Sequence, residues 1–252
     1  MNTTRVAAAT PGVAVESRGP VTAAERSRAD RVVRKVLRRH HLESPASVRL
    51  SRNGSFGATT VAQVNARFAG APIRVQADGP GGFALTFAAE RLDRQLDRLT
   101  GKAEPRWAPD PGRAPLAAVS DARPIVRRKH CCLQVLDPVG AAAAMDAMDY
   151  DVLLFTDVET GEDAIVYWAG PLGIRMARQH RMCPPSAATW RPLTMNTRPT
   201  REFTEAQAAA RLCAYGLPFL FFTDPSDRRG RLLYRRYDGD LGLVAGPDVS
   251  RG

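Results

Sequence analysis

The stretch "LLFTDVETGEDAIVYW" (Leu153–Trp168) and the stretch "LFFTDPSDRRGRLLYRR" (Leu220–Arg236) read as one pattern written twice. Each is an apolar run of strand type, an Asp-led turn and a second apolar run, which is the signature of a hairpin. A constant offset of 67 residues carries Leu153 onto Leu220, Phe155-Thr156-Asp157 onto Phe222-Thr223-Asp224, and Tyr167 onto Tyr234. The same offset carries Ala141, Ala142, Ala143 and Ala147 onto alanines. Identities that stay in register through a helix and two strands point to duplication.

Working outward, the first copy predicts a strand at Cys131–Leu136, a helix at Pro138–Met148, and strands at Val152–Thr156 and Ala164–Trp168. The second predicts a helix at Thr204–Tyr215 and strands at Phe219–Thr223 and Leu232–Tyr234. A Pro-rich stretch from Pro184 to Pro199 separates them. The expected fold class is α+β: an N-terminal β-α-β-β-β-α domain, a Pro-rich linker, and two tandem small α/β repeats. The expected boundaries are 1–101 for the basic domain, 102–126 for the linker, 127–180 for the first repeat, and 181–252 for a linker with the second repeat.

In the front domain a strand at Val13–Glu16 leads to Thr22, an N-cap with Glu25 completing a capping box. The helix that follows, from Ala23 to about Arg39, puts Ala29, Val32, Val33, Val36 and Leu37 on one face. Strands are expected at Ser47–Ser51, Thr60–Phe68 and Pro72–Ala77, the last two a hairpin about Gly70. After the breaker Asp78-Gly79-Pro80-Gly81-Gly82 a second helix runs to Leu99, with Leu85, Ala88, Ala89, Leu92, Leu96 and Leu99 as its core stripe.

Charge directs the functional reading. The chain has 36 Lys+Arg against 26 Asp+Glu, a formal net charge of +10. Residues 1–101 are net +8, 102–129 net +4, 130–180 net −6 and 181–252 net +4. Nearly all the positive charge is arginine, whose planar fork suits bidentate phosphate contacts. A polyanionic partner is implied. Opposite the apolar face of the first helix stand Arg28, Arg31, Arg34, Lys35 and Arg38, and the second helix repeats the pattern with Arg91, Arg94 and Arg98. Two such helices make a bed for phosphates. With few aromatics for base stacking, this predicts recognition of the shape and backbone of structured RNA.

Other chemistries find little support. Asp157 and Asp224 sit where a strand enters a tight turn, the place where Asp bonds its own backbone. His130-Cys131-Cys132 with His180-x-x-Cys183 lacks zinc spacing, and adjacent cysteines in a strand face opposite ways. Asp78–Gly82 lacks the Gly-Lys-Ser/Thr ending of a phosphate loop. No nucleophile motif appears, so no enzymatic activity, cofactor or metal is expected. No apolar run reaches the roughly 20 residues of a membrane span. The opening MNTTRVAAATPG lacks a secretory apolar stretch, and the four cysteines form no disulfide framework. A cytoplasmic location is expected.

These residues resemble a family. "VAVESRGPVTAAERSRADRVVRKVL" and "VNARFAGAPIRVQADGPGGFALTFAAERLDRQLDRL" are similar to the N-terminal S30AE-type domain of ribosome hibernation-promoting factors. "FFTDPSDRRGRLLYRRYDGDLGLV" resembles the C-terminal domain of their long form, and "KHCCLQVLDPVGAAAAMDAMDYDVLLFTDVETGEDAIVYW" looks like a further copy of it. The duplicated tail resembles actinobacterial dormancy- or hypoxia-associated members. The resemblance implies binding to 16S rRNA and ribosomal proteins of the 30S subunit, in the decoding region, blocking mRNA and tRNA and protecting idle 70S ribosomes. Long-form factors usually carry one tail domain, which homodimerises and joins two ribosomes. Here the first copy has Trp168-Ala169-Gly170-Pro171 where the second has Arg235-Arg236-Tyr237-Asp238-Gly239.

A unit of about fifty residues buries too little surface alone, and its partner is tethered in the same chain. The tail is therefore expected to pair within one polypeptide, leaving a monomer, with Phe155, Tyr167, Phe222 and Tyr234 supporting the pseudo-symmetric core or interface. The rival reading is a transcriptional or RNA-chaperone regulator using the same basic domain on other RNA.

Overall fold

The structure is a computed structural model that describes residues 12–52, 59–104, 106, 116–186 and 193–247. The chain forms two compact units: Met1–Arg106 with Ala147–Asp149, and Trp107–Asp146 with Tyr150–Gly252.

In the first unit the order is β1 (Val13–Arg18), α1 (Ala23–Arg39), β2 (Ala46–Arg52), β3 (Thr59–Phe68), β4 (Ala71–Pro80) and α2 (Phe83–Leu99). The sheet runs β1-β2-β3-β4, with β1 parallel to β2 and the other pairs antiparallel. Period-2 alternation gives it one apolar face, carrying Val48, Leu50, Ala62, Val64, Ile73 and Val75. Ala29, Val33 and Leu37 of α1 and Leu85, Ala88, Leu92 and Leu96 of α2 complete that core, so the remaining helix surface is left for function. The β3–β4 turn is Ala69-Gly70, both with positive φ (48° and 81°), as a two-residue hairpin turn of matching twist demands. β4 runs on to Pro80, past the Ala77 expected from the breaker. A proline at the end of an edge strand costs no ladder bond.

α1 opens with the capping box read from the sequence: Glu25 N–H donates to Thr22 Oγ1 at 3.2 Å, and Thr22 N–H donates to the Glu25 carboxylate at 2.8 Å. The same carboxylate pairs with Arg52 of β2, whose side chain is 4% exposed. Arg52 first, then the Thr22 amide, hold the Glu25 carboxyl down at about 2. A depressed pKa contributes stability that is complete above the unfolded value of 4.5 and lost as pH falls through the folded value near 2. Glu25→Gln is therefore expected to be less stable than wild type at pH 6, with the gap closing between pH 4.5 and 2 in urea titrations. A gap constant with pH would refute the assignment.

The second unit contains β5 (Ile125–His130), β6 (Val135–Leu136), α3 (Pro138–Ala147), β7 (Val152–Asp157), β8 (Asp163–Trp168), β9 (Ile174–Arg178), β10 (Leu193–Met195), α4 (Glu205–Ala214), β11 (Phe219–Thr223), β12 (Gly230–Arg235) and β13 (Leu241–Ala245). They build two sheets, in order β10-β9-β8-β7-β6 and β11-β12-β13-β5. Each sheet has a helix on one face. α3 supplies Ala141, Ala142 and Met145 against Phe155, Val166, Trp168, Ile174 and Met176. α4 supplies Ala208, Leu212 and Cys213 against Phe222, Leu233, Leu241 and Leu243. The alternate residues of these strands face the other way and meet across the sheets: Leu154, Ile165 and Ala177 share one cluster with Phe221 and Leu232.

The outer strands are exchanged. β5 precedes the first sheet in the chain yet pairs in parallel with β13 of the second. β10 lies just ahead of α4 yet pairs in parallel with β9 of the first. The elements depart from the expected ones in five places. Cys131–Gln134 are not strand, and only Val135–Leu136 are. β5 begins at Ile125, inside the expected linker, and β10 lies inside the Pro-rich stretch between the copies. β9 and β13 were not anticipated. β5 (IVRRKH) has no apolar alternation because it is held by ladder bonds at a sheet edge with most side chains exposed. That pattern is invisible to periodicity. The end of the expected linker is also tied down: Arg235 donates to Ala118 O at 2.8 Å and Ser120 Oγ at 3.1 Å, and Leu241 N–H to Pro124 O at 3.0 Å. Residues 105 and 107–115 of that linker, and 187–192 of the second Pro-rich stretch, lie outside the described residues. No helix among the described residues is long and apolar enough to cross a membrane.

Candidate nucleic-acid interface

The exposed side of α1 follows from its apolar stripe: once Ala29, Val33 and Leu37 face the sheet, Arg28, Arg31, Lys35 and Arg38 must face solvent, and all four are exposed. No ion pair among the described residues engages Arg31, Lys35 or Arg38. Arg34 is different: half-buried, it is tied to Asp30 one turn earlier. Arg28 reaches across to α2 and donates to Thr86 Oγ1 at 3.2 Å.

On α2 the expected arginine stripe divides. Arg94 is exposed, Arg98 is half-buried, and Arg91 is buried with Nη1 donating to Gln76 O at 3.2 Å. At 100° per residue Arg91 lies on the flank of the helix turned towards β4, so its guanidinium serves the backbone of that strand. Phe83, Phe87, Glu90 and Arg94 instead occupy the solvent side. The candidate face is thus centred on α1, with Arg94 its exposed cation on α2.

Two features escaped the sequence reading. Phe83 and Phe87 are 62% and 42% exposed, with ring centroids 6.2 Å apart. Composition alone suggested few aromatics for bases, but an i,i+4 pair outside the leucine stripe was the available signal. The second is a tie between the helices. The His40 ring, 1% exposed, places Nε2 2.8 Å from Asp93 Oδ1, while Arg39 donates to Asp93 Oδ2 at 2.7 Å. Asp93 therefore anchors the end of α1 to the middle of α2. His40, Asp93 and Asp97 bring ligand atoms within 4.8 Å of one another. Both Asp93 oxygens already serve this tie. His130, Cys131, Cys132, His180 and Cys183 form no such group among the described residues.

Asp157 and Asp224 serve local structure. Asp157 is fully buried, pairs with the equally buried Arg178 at 2.8 Å and accepts from Thr160 Oγ1 at 2.8 Å. Asp224 accepts from the Ser226 amide and hydroxyl at 2.9 and 2.6 Å. Burial opposes its ionisation, but Ser226 and Arg231 outweigh it and hold the carboxyl below the usual range. Of the four residues expected to support pairing, Phe155 and Phe222 lie in the cores of their own sheets. Tyr167 is at the sheet–sheet cluster, its ring edge-on to Phe219 at 5.3 Å. Tyr234 is half-buried on the Leu232 side of β12, with Lys129 Nζ 5.7 Å from its ring centre.

The chain is 46% identical, over 241 residues, to a dormancy associated translation inhibitor of Mycobacterium tuberculosis (strain CDC 1551 / Oshkosh), covering 93% of this chain and 88% of that one. The protein of the same description in strain H37Rv matches equally. The family model for the "Sigma 54 modulation/S30EA ribosomal protein C terminus" matches residues 120–175. The chain belongs to the S30AE family of ribosome hibernation-promoting factors. The matched segment begins within the expected linker and takes in β5, in keeping with a tail that starts before Ile125. Among solved structures, the Thermus thermophilus Protein Y N-terminal domain aligns at 22% identity and TM-score 0.31, covering 35% of this chain and 98% of that one. A ribosomal subunit interface protein from Coxiella burnetii aligns at 17% and 0.29, covering 36% and 99%.

Proposed function

We propose that this protein silences idle ribosomes by occupancy: the first unit binds 16S rRNA in the decoding region of the 30S subunit and excludes mRNA and tRNA. The observation that carries this reading is the exposed stripe of Arg28, Arg31, Lys35 and Arg38, which no acidic residue neutralises among those described. Kinship with translation inhibitors supports it. Arg94 extends the stripe, and Phe83 with Phe87 offers apolar rings to an unpaired base beside Arg28. The tail is two tandem copies of one domain paired within the chain, a reading supported by the apolar cluster across its two sheets. The protein would then be a monomer that holds single 70S particles.

Silencing by occupancy has a stoichiometric signature. Inhibition of translation in a purified system is expected to saturate at about one protein per ribosome. It should reverse when the ribosomes are washed in high salt, because phosphate contacts weaken by about 0.7–0.9 in log–log slope for each one made. Cleaved rRNA, or inhibition at a small fraction of one equivalent, would overturn the reading. A sucrose gradient of resting cells tests the partner: the protein should travel with 30S and 70S particles. Its presence only in RNA fractions lighter than 30S would favour the general RNA-regulator reading.

A further inference from the structure

β8 and β12 are equivalent strands of the two copies, 67 residues apart at every position, and they face each other across the tail. The equivalent residues Asp163 and Gly230 are in direct contact across it. A Cβ placed on Gly230 would lie 2.6 Å from Asp163 Cβ and 2.9 Å from the Phe221 ring. Equivalent positions in contact mark the pseudo-two-fold axis of the pair. On that axis the two copies carry different residues, and the difference is chemically matched. The Asp163 carboxylate is 1% exposed and accepts from Arg229 Nε at 2.7 Å, Arg229 Nη2 at 3.0 Å and Gly230 N–H at 2.9 Å. The first copy has Glu162 where the second has Arg229.

We propose that the contact of Asp163 with Arg229 and Gly230 is what makes each half of the tail pair with the unlike half and not with a second copy of itself. The inference rests on the reading of the tail as an intrachain pair. Two first copies brought together would set Asp163 against Asp163, buried carboxylates flanked by Glu162 instead of an arginine. Two second copies would set glycine against glycine, with both Arg229 guanidiniums lacking their acceptor. The first arrangement buries two carboxylates without compensation, and the second leaves two part-exposed guanidiniums without the bidentate acceptor they have in the native pair. Specificity thus comes from penalties on the wrong pair as well as from bonds in the right one. A chain built this way cannot join another chain through like-with-like tails.

The test uses full chains. In E162R/D163G both copies carry Arg-Gly at the axis, and in R229E/G230D both carry Glu-Asp; the quadruple variant restores a matched pair with its polarity reversed. All are made alongside F221L, itself a control, because a Cβ at 230 would otherwise meet the Phe221 ring of its own sheet and the first copy has Leu154 there. Molar mass by light scattering and melting temperature are measured for each. Both double variants are expected to melt earlier than wild type and to lose the 27.4 kDa monomer. The two doubles co-expressed should yield a one-to-one complex of twice that mass, since complementary halves are then found only on different chains. The quadruple variant should return to a monomer. If both doubles stay monomeric with unchanged melting, the axis does not choose the partner. If they are impaired but neither co-expression nor the quadruple variant restores soluble protein, the contact is structural only and the proposal falls. A wild-type dimer would instead refute the intrachain reading beneath it.

Discussion

R31E/K35E/R38E is expected to lose ribosome binding by at least about a thousandfold while folding normally. The three side chains are exposed on one side of α1 and are held by no ion pair among the described residues. Surface substitutions of this kind cost little stability, within about 0.5 kcal/mol. Each charge-assisted contact to a phosphate is worth about 1.5–3 kcal/mol, so three together exceed about 4 kcal/mol before repulsion by the new carboxylates is counted. Binding of labelled protein to 30S subunits, measured at several salt concentrations, decides it. The slope against log salt should also become shallower. Affinity unchanged at 150 mM salt would mean that the stripe is only solvated. Reversing Arg91 should behave differently, because its guanidinium is buried against the Gln76 carbonyl. Loss of stability, not a clean loss of binding, is the expected result there.

Ile165→Asp is expected to break the tail. Ile165 is 2% exposed in the cluster that joins the two sheets, and an unpaired carboxylate there costs about 3–5 kcal/mol. Urea unfolding should show the loss, and light scattering should show association through the uncovered faces. Deleting residues 181–252 goes further. It removes β10 from the edge of the first sheet, takes β13 away from β5, and exposes Leu154, Ile165 and Ala177. Aggregated or self-associated protein is the expected product. The intact chain should be a 27.4 kDa monomer whose ribosome complex is a single 70S particle. A stable dimer of twice that mass, with 100S particles in gradients, would restore ribosome joining.

How far the sequence reaches differs between the two units, for physical reasons. α1 and its cap were legible because Thr22, Glu25 and the stripe through Ala29, Val33 and Leu37 are local signals, all within a few turns. β3 and β4 were legible because adjacent strands joined by a two-residue turn alternate visibly. The basic stripe on α1 follows from the same periodicity. Arg91 does not, since a helix flank is solvent or interior according to where the next strand passes. In the tail, the offset of 67 picked out two matching hairpins from letters alone, and both are present. It could not reveal that β5 joins the sheet of β11–β13, because a parallel edge strand held by backbone bonds carries no side-chain pattern. Nor could it show which face of β8 meets β12. Composition, periodicity and internal similarity thus determined the local elements, the basic face of α1 and the two hairpins of the tail. Only tertiary contact, bringing Asp163 against Gly230 from 67 residues away, decided which strands complete which sheet and which faces of the two sheets meet.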